Sequence, residues 1–185
     1  MLHGLPVIND CIYRNMYRFR HIAIIDFDEV IMPIYHKTLN DLVEHLKMTY
    51  STHKNPPVNY IFRNQYYYLE SPPDPEIPSY FTILRYRWKV PVEGTGVRLK
   101  TIIDPKACSS MHYHWCWSVT PGYEKNGTGK TINPEVGVKY HHKKCNHGPS
   151  ECADLLNQTQ LDDTILRFRD PLRRSVDVKV KAIAG

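Results

Sequence analysis

Three acidic residues stand within four positions in the segment Asp26-Phe27-Asp28-Glu29, directly after the apolar run His21-Ile22-Ala23-Ile24-Ile25. In an extended chain, alternation places the side chains of Asp26 and Asp28 on the same side. Two carboxylates so close repel each other unless a cation, a hydrogen-bond network or shared protons offset their charge. A hard divalent ion such as Mn²⁺ or Mg²⁺ is the simplest remedy, because it prefers carboxylate oxygens. A solvated turn after the strand is the alternative.

Histidine and cysteine side chains form a second group that could bind metal, because they are the usual zinc ligands. The candidates are His141, His142, Cys145, His147 and Cys152, with His112, His114 and Cys116 as possible partners. Their spacing matches none of the paired patterns that make a zinc site specific. Cys145 and Cys152 are also close enough in sequence to form a disulfide across the Gly148-Pro149 turn, as in a luminal protein. We expect Cys11 to lie in the core or in a disulfide.

The bulk properties are those of a globular protein. A chain of 185 residues with 42% hydrophobic and 23% charged residues is expected to form one domain with a substantial core. The net charge of +5 is scattered along the chain, which argues against nucleic acid as a partner. No apolar stretch reaches the ~20 residues of a membrane span, and the amino terminus does not resemble a signal peptide. The sequons at Asn126 and Asn157 favour a secretory compartment.

The elements that must position these residues follow a mixed α/β pattern. The apolar run at 21–25 predicts a strand buried on both faces, preceded by a short helix that Asn9 or Asp10 caps and that extends to about Tyr17. A second helix is predicted to begin at Thr38, with Asp41 completing a capping box and with an apolar face formed by Leu39, Leu42, Val43 and Leu46.

The rest of the chain is predicted to be mostly strands. They are expected at 58–62, 65–69, 81–86, 99–103, 113–119 and 136–142. A proline-rich surface loop is expected at 71–79, and turns are expected at 93–96 and 126–129. A last helix is predicted to begin near Asp162 and Asp163 and to end before Pro171.

Several separate segments together resemble glycosyltransferase family 92. They are Asn9-Asp10-Cys11-Ile12-Tyr13-Arg14-Asn15, the block from Ile24 to Pro33, Phe62-Arg63-Asn64, the block from Lys100 to Pro105, the histidine of Met111-His112-Tyr113-His114, and His141-His142-Lys143-Lys144-Cys145. Their order and spacing also fit, and the resemblance spans nearly the whole chain. One departure is His142, where the family usually has tyrosine.

The resemblance implies an α/β fold of the GT-A type, a mixed sheet flanked by helices, as a single domain over residues 1–185. It implies that this domain lacks its amino-terminal βαβ portion and its membrane anchor. Asp26 and Asp28 would bind Mn²⁺ (or Mg²⁺) on the diphosphate of a UDP-sugar, with Glu29 supporting and His141 as a further metal ligand. Asn9, Asp10 and Arg14 would line the nucleotide-sugar pocket, although helix capping and surface charge explain them equally well.

The implied function is transfer of galactose from UDP-galactose to a glycan acceptor, with inversion, by a Golgi type II membrane protein. A general base is needed, and the sequence does not identify it. Glu29 is expected to lie too near the metal, whereas Glu70, Asp74 and Glu76 are acids near the proline-rich loop. The aromatic neighbours of His114 indicate packing or sugar stacking. A non-enzymatic zinc module and an inactive fragment of the transferase are the alternatives.

Overall fold

A computed structural model describes residues 4–51, 56–96, 98–124 and 129–184 of the chain. The helices α1–α5 span Gly4–Asn15, Leu39–Tyr50, Thr82–Arg85, Pro149–Asn157 and Arg169–Ala184, with a 3₁₀ helix at Thr164–Phe168. The strands β1–β11 span Ile22–Ile24, Glu29–Pro33, Asn59–Phe62, Asn64–Tyr68, Trp88–Lys89, Lys100–Ile103, Cys108–Met111, Cys116–Val119, Lys130–Thr131, Gly137–Lys143 and Gln160–Leu161. This confirms the α/β class. The sequon at Asn126 and most of the turn predicted at 126–129 lie outside the described residues.

The chain divides into two compact units. The first contains residues 1–65 and 92–141, and the second contains residues 66–91 and 142–185. The acidic segment and His141 therefore belong to the first unit, whereas Cys145 and Cys152 belong to the second.

A four-stranded mixed sheet organises the first unit, in the order β1-β6-β3-β9. β1, β6 and β3 are antiparallel neighbours, and β9 runs parallel to β3. The prediction that β1 is buried on both faces is wrong, because β1 is an edge strand and Ala23 is exposed between the half-buried Ile22 and Ile24. Alanine and isoleucine are both apolar, so the alternation between the two faces cannot be seen in the sequence.

Helix α2 packs its apolar face on the first unit's main core. The capping box is confirmed, since the Asp41 N–H donates to Thr38 Oγ1 and the Thr38 N–H donates to the Asp41 carboxylate. The buried cluster contains Ile31, Leu42, Val43, Leu46, Tyr60, Phe62, Ile102 and Ile132. Only Leu39 departs from the prediction, because it is 39% exposed at the start of the helix.

Two helix boundaries were predicted wrongly, and a proline lies at each. Helix α1 begins at Gly4, so Asn9 and Asp10 lie inside it rather than capping it, and α5 continues through Pro171. Both Pro6 and Pro171 occupy the first turn of their helix, where a missing N–H removes no intrahelical hydrogen bond. No helix in the described part of the chain combines the length and the apolar content that a bilayer crossing requires.

A disulfide-linked hairpin, β7–β8, completes the first unit. Cys108 on β7 is bonded to Cys116 on β8, and both are buried. The predicted strand 113–119 is therefore only half right, because its first half forms the turn of this hairpin. Cys11 is a free and exposed cysteine, which contradicts the prediction of a core or disulfide position.

Acid should weaken the first unit through His114 on the hairpin turn. Burial lowers its pKa, a hydrogen bond from Nδ1 to the Leu99 carbonyl raises it less, and Lys100 lowers it further. The unfolded chain therefore binds this proton at higher pH, so the neutral side chain's contribution to stability is present above about pH 6.5 and is lost below it. Urea unfolding at pH 7.5 and 5.5 should show a smaller loss for His114→Gln than for the parent. Equal losses would contradict this assignment.

The second unit is built around tyrosines and a disulfide. Tyr66, Tyr68 and Val90 form its buried cluster, and Tyr66 and Tyr68 stack at 5.3 Å. The predicted disulfide between Cys145 and Cys152 is confirmed. The Gly148-Pro149 segment was predicted as a turn, but it begins helix α4, with Gly148 as the N-cap and proline in the first turn.

Residues 81–86 contain the short helix α3 rather than the predicted strand. Phe81 begins this turn of helix, since its carbonyl accepts the N–H groups of Leu84 and Arg85. Leu84 is fully buried. Packing of this kind overrides the weak β-propensity of the segment.

Candidate functional site

The acidic segment forms a turn between β1 and β2 of the first unit. The Glu29 N–H donates to the Asp26 carbonyl at 3.2 Å, and β2 begins at Glu29. The segment is therefore not extended, and the predicted alternation of Asp26 and Asp28 does not apply. Instead, each carboxylate in the turn has its own partner.

Asp26 pairs with a buried lysine on the neighbouring strand. Lys100 Nζ lies 2.9 Å from Asp26 Oδ2, although the Asp26 side chain is 64% exposed. The register explains the contact, because Ile24 on β1 is opposite Thr101 on β6, and Lys100 therefore lies beside the residues that follow β1. The exposed Asp26 carboxylate is held at the surface by a cation that is itself buried.

Glu29 is buried and lies between two lysines. Its Oε1 is 2.6 Å from Lys139 Nζ, its Oε2 is 3.4 Å from Lys100 Nζ, and Oε2 also accepts the Asp26 N–H at 2.9 Å. Burial lowers the pKa of Lys139, and the Glu29 carboxylate opposes that shift. Glu29 therefore holds the turn and the two lysines together, and its carboxylate is the least exposed of the three acids.

Lys100 and Lys139 are the site residues that sequence reasoning missed. Both are among the buried charged residues, at 4% and 1% exposure. A signal was present, because each lysine lies in a run that was itself predicted to be a strand, and a lysine is almost never fully buried without a partner. The repulsion between the three carboxylates is thus offset in part by the ammonium groups of the two lysines.

His141 lies within hydrogen-bonding distance of Asp28. Its Nε2 is 3.2 Å from Asp28 Oδ2 and its Nδ1 is 3.5 Å from Glu29 Oε1. The position follows from the antiparallel pairing of β10 with β2, which places His141 opposite Glu29. Burial lowers the pKa of His141, with Lys139 adding to the shift and the two acids opposing it. The contact with Asp28 is therefore a hydrogen bond of a neutral imidazole at pH 7.

The donor set suits a divalent ion that shares its coordination with other ligands. A neutral imidazole and the half-exposed Asp28 carboxylate are the ligand types that Mn²⁺ accepts, and binding requires the imidazole to be unprotonated. An open hollow of about 930 Å³, lined by residues 25–29, adjoins them. Within the described residues, no three His, Cys, Asp or Glu side chains converge on one point. Such a site would leave positions for phosphate oxygens and water, as Mg²⁺ sites commonly do.

The residues predicted for the nucleotide-sugar pocket have contacts on helix α1 and β7. Both ends of the Asn9 amide bond Met111, with Nδ2 donating to its carbonyl and Oδ1 accepting its N–H. Asp10 and Arg14 form an exposed ion pair one helical turn apart. The structure therefore brings Asp28 and His141 together with the Asp26 turn, and it engages Asn9, Asp10 and Arg14 elsewhere. Their role in donor binding stays a prediction.

The alternative zinc module is contradicted by the cysteines. Cys116, Cys145 and Cys152 are all in disulfides, so none of them offers a thiolate.

The acids near the proline-rich loop, the candidates for the general base, lie in the second unit. There the Glu70 carboxylate accepts the Cys145 N–H, and Asp74 pairs with Arg87 at 2.6 Å. A backbone hydrogen bond from Glu76 and the contact with Arg87 lower the pKa of Asp74. A lowered pKa makes Asp74 a weaker base, and the general base stays unidentified.

Comparison with known families gives a match over nearly the whole chain. The model of the family described as glycosyltransferase family 92 matches residues 7–179, which takes in parts of both compact units. No curated protein matches the chain.

Proposed function

Because this chain belongs to glycosyltransferase family 92, we propose that it transfers a hexose, galactose from UDP-galactose, to a glycan acceptor with inversion at the anomeric carbon. The family supports a transferase that uses a nucleotide sugar and a glycan acceptor. The donor sugar, the stereochemistry and the metal dependence are our proposal. The observation that carries it is the Asp28–His141 pair beside the hollow at 25–29.

The charges of the described site favour binding of a cation. Three carboxylates, those of Asp26, Asp28 and Glu29, lie among two ammonium groups and a neutral imidazole, which leaves one net negative charge. Asp28 contacts neither lysine in the described pairs, so the uncompensated charge is concentrated there. A net negative charge of this kind is stabilised when a metal ion binds between the protein and an anionic substrate.

Each residue in the site has a distinct proposed role. Asp28 and His141 would hold the divalent ion, which stabilises the negative charge that grows on the diphosphate leaving group. Asp26 would contact the nucleotide sugar from a position that Lys100 fixes. Glu29 and Lys139 would keep the turn in place beneath them, because both are buried and joined at 2.6 Å. The two buried lysines would also reduce the electrostatic repulsion between the acids and a phosphate group of the donor.

Two disulfides in the described chain favour an oxidising compartment. We therefore extend the proposal to the Golgi lumen. The exposed Asn157 of the second sequon agrees with a glycosylated, luminal chain.

A donor panel tests the proposed reaction. Release of UDP or GDP is measured with Mn²⁺ and an acceptor glycan library, using UDP-galactose, UDP-glucose, UDP-N-acetylglucosamine and GDP-mannose in parallel. We expect UDP-galactose to be turned over fastest, and we expect NMR of the product to show a β-linkage formed from the α-linked donor. Preference for another sugar would overturn the donor assignment, and no transfer from any donor would favour an inactive fragment.

A further inference from the structure

Two exposed tryptophans lie on the disulfide-linked hairpin, Trp115 on its turn and Trp117 on β8. We propose that they form a stacking surface for a pyranose ring of the acceptor glycan. This inference rests on the transferase function proposed above, and it assigns a place where that function receives its second substrate.

The two indole rings are arranged around one imidazole. The His112 ring centroid lies 5.1 Å from that of Trp115 and 5.6 Å from that of Trp117, the latter in an edge-to-face arrangement. Trp117 is 66% exposed and Trp115 is 39% exposed. Both indole rings therefore lie beside the His112 ring, Trp115 from the turn of the hairpin and Trp117 from β8. Exposed aromatic rings that cluster, instead of being scattered singly, are a feature of binding surfaces on soluble proteins.

The hairpin that carries the rings is held in place by contacts on two sides. The Cys108–Cys116 disulfide joins the first residue of β7 to the first residue of β8. From helix α1, the Asn9 amide bonds both polar backbone atoms of Met111, the last residue of β7. The rings are therefore presented by a fixed backbone, which reduces the conformational entropy lost when a ligand binds.

The stacking surface is connected to the acidic site through β6. His114 on the same turn donates from Nδ1 to the Leu99 carbonyl at 2.6 Å. The next residue, Lys100, holds Asp26 at 2.9 Å. Electrostatic effects of Lys100 and Lys139 on the pKa of His114 agree with this closeness. An acceptor on the rings would thus lie on the hairpin whose turn contacts the residue next to Lys100.

A sugar ring fits this surface better than a protein partner does. A pyranose has a flat face of C–H groups that packs on an indole, and a rim of hydroxyls that stays hydrated or bonds to nearby polar groups. A stable protein interface buries at least about 1,000 Å² in total. Two indoles and an imidazole provide only a small part of that area, whereas one indole is large enough to pack on one face of a pyranose.

Glycan binding in the absence of donor and metal tests the proposal. The full chain is titrated with N-acetyllactosamine, chitotriose and lacto-N-tetraose, and binding is followed by saturation-transfer NMR and calorimetry. We expect the parent to bind at least one of them and Trp117→Ala to weaken that binding by about tenfold. Trp117→Phe should retain most of the affinity, because it keeps a ring. Tyr35→Ala, which removes an exposed ring beyond the far end of β2, is the matched control.

Three results would overturn the proposal: no binding by the parent, equal binding by Trp117→Ala, or dimerisation that depends on Trp117 without glycan binding. The last would make the surface a protein interface. The outcome is distinct from that of the transferase proposal. If transfer occurs and Trp117→Ala leaves the acceptor KM unchanged, only the stacking surface is contradicted. If the chain binds glycan but transfers no sugar, only the transferase proposal is contradicted.

Discussion

Replacing Asp28 by asparagine is expected to lower kcat/KM for sugar transfer in Mn²⁺ by about 100-fold or more. Asparagine keeps the size of the side chain and can still bond His141 Nε2, which lies 3.2 Å from Asp28 Oδ2. What it removes is the negative charge that is proposed to hold the divalent ion against the diphosphate. The loss should appear in initial rates of UDP release with saturating acceptor.

The same substitution should leave the fold intact. The Asp28 side chain is 49% exposed and asparagine can keep the hydrogen bond to His141, so the free energy of unfolding should change by less than about 1 kcal/mol. Asp154→Asn on helix α4 is the matched control, because it makes the same chemical change at an exposed position. It should keep the parent rate. Equal Mn²⁺-dependent rates for Asp28→Asn and the parent would contradict the proposed metal role.

Replacing Lys139 by methionine should lower the free energy of unfolding by about 3–5 kcal/mol, a larger loss than for the other single substitutions. The Lys139 side chain is 1% exposed, and its ammonium bonds Glu29 at 2.6 Å and the Arg98 carbonyl at 2.9 Å. Methionine fills the space but leaves the Glu29 carboxylate buried with only Lys100, at 3.4 Å, to offset its charge. Urea unfolding at pH 7 measures the change in the free energy of unfolding.

A double-mutant comparison separates the charge from the packing. Glu29→Gln combined with Lys139→Met removes both charges, and it should recover much of the stability that the single change loses, because no uncompensated carboxylate remains. Lys144→Met, at an exposed position just beyond β10, should change stability by less than about 0.5 kcal/mol. If Lys139→Met is as mild as Lys144→Met, Glu29 is not held by the network described above.

The parts of the fold that could be predicted are those with local causes. The capping box at Thr38 and Asp41 needs residues three apart, and the Cys145–Cys152 disulfide needs residues seven apart. Segments rich in β-branched and aromatic residues likewise predicted β3, β6 and β10 to within a residue or so. The end of the last helix failed because Pro171 was taken as a breaker, although the first turn of a helix tolerates proline. The start of α1 failed because Asn9 and Asp10 were taken as caps.

The sequence singled out the acids and His141, which the structure brings together, but it did not single out the two lysines. The Asp26–Lys100 and Glu29–Lys139 contacts join residues 74 and 110 positions apart. Only the register of β1 with β6 and the pairing of β10 with β2 bring them together, and neither can be read from local pattern. This is also why a divalent ion was the simplest explanation of the acidic motif from the sequence, whereas two lysines offset part of its charge.

Manganese binding tests most directly whether Asp28 and His141 form a divalent-ion site for a nucleotide sugar. Free Mn²⁺ is measured by electron paramagnetic resonance while it is titrated into the full chain, with and without UDP, for the parent and for Asp28→Asn. We predict that UDP strengthens Mn²⁺ binding by the parent and that Asp28→Asn abolishes this enhancement. Identical Mn²⁺ binding by the two proteins in the presence of UDP would contradict the account.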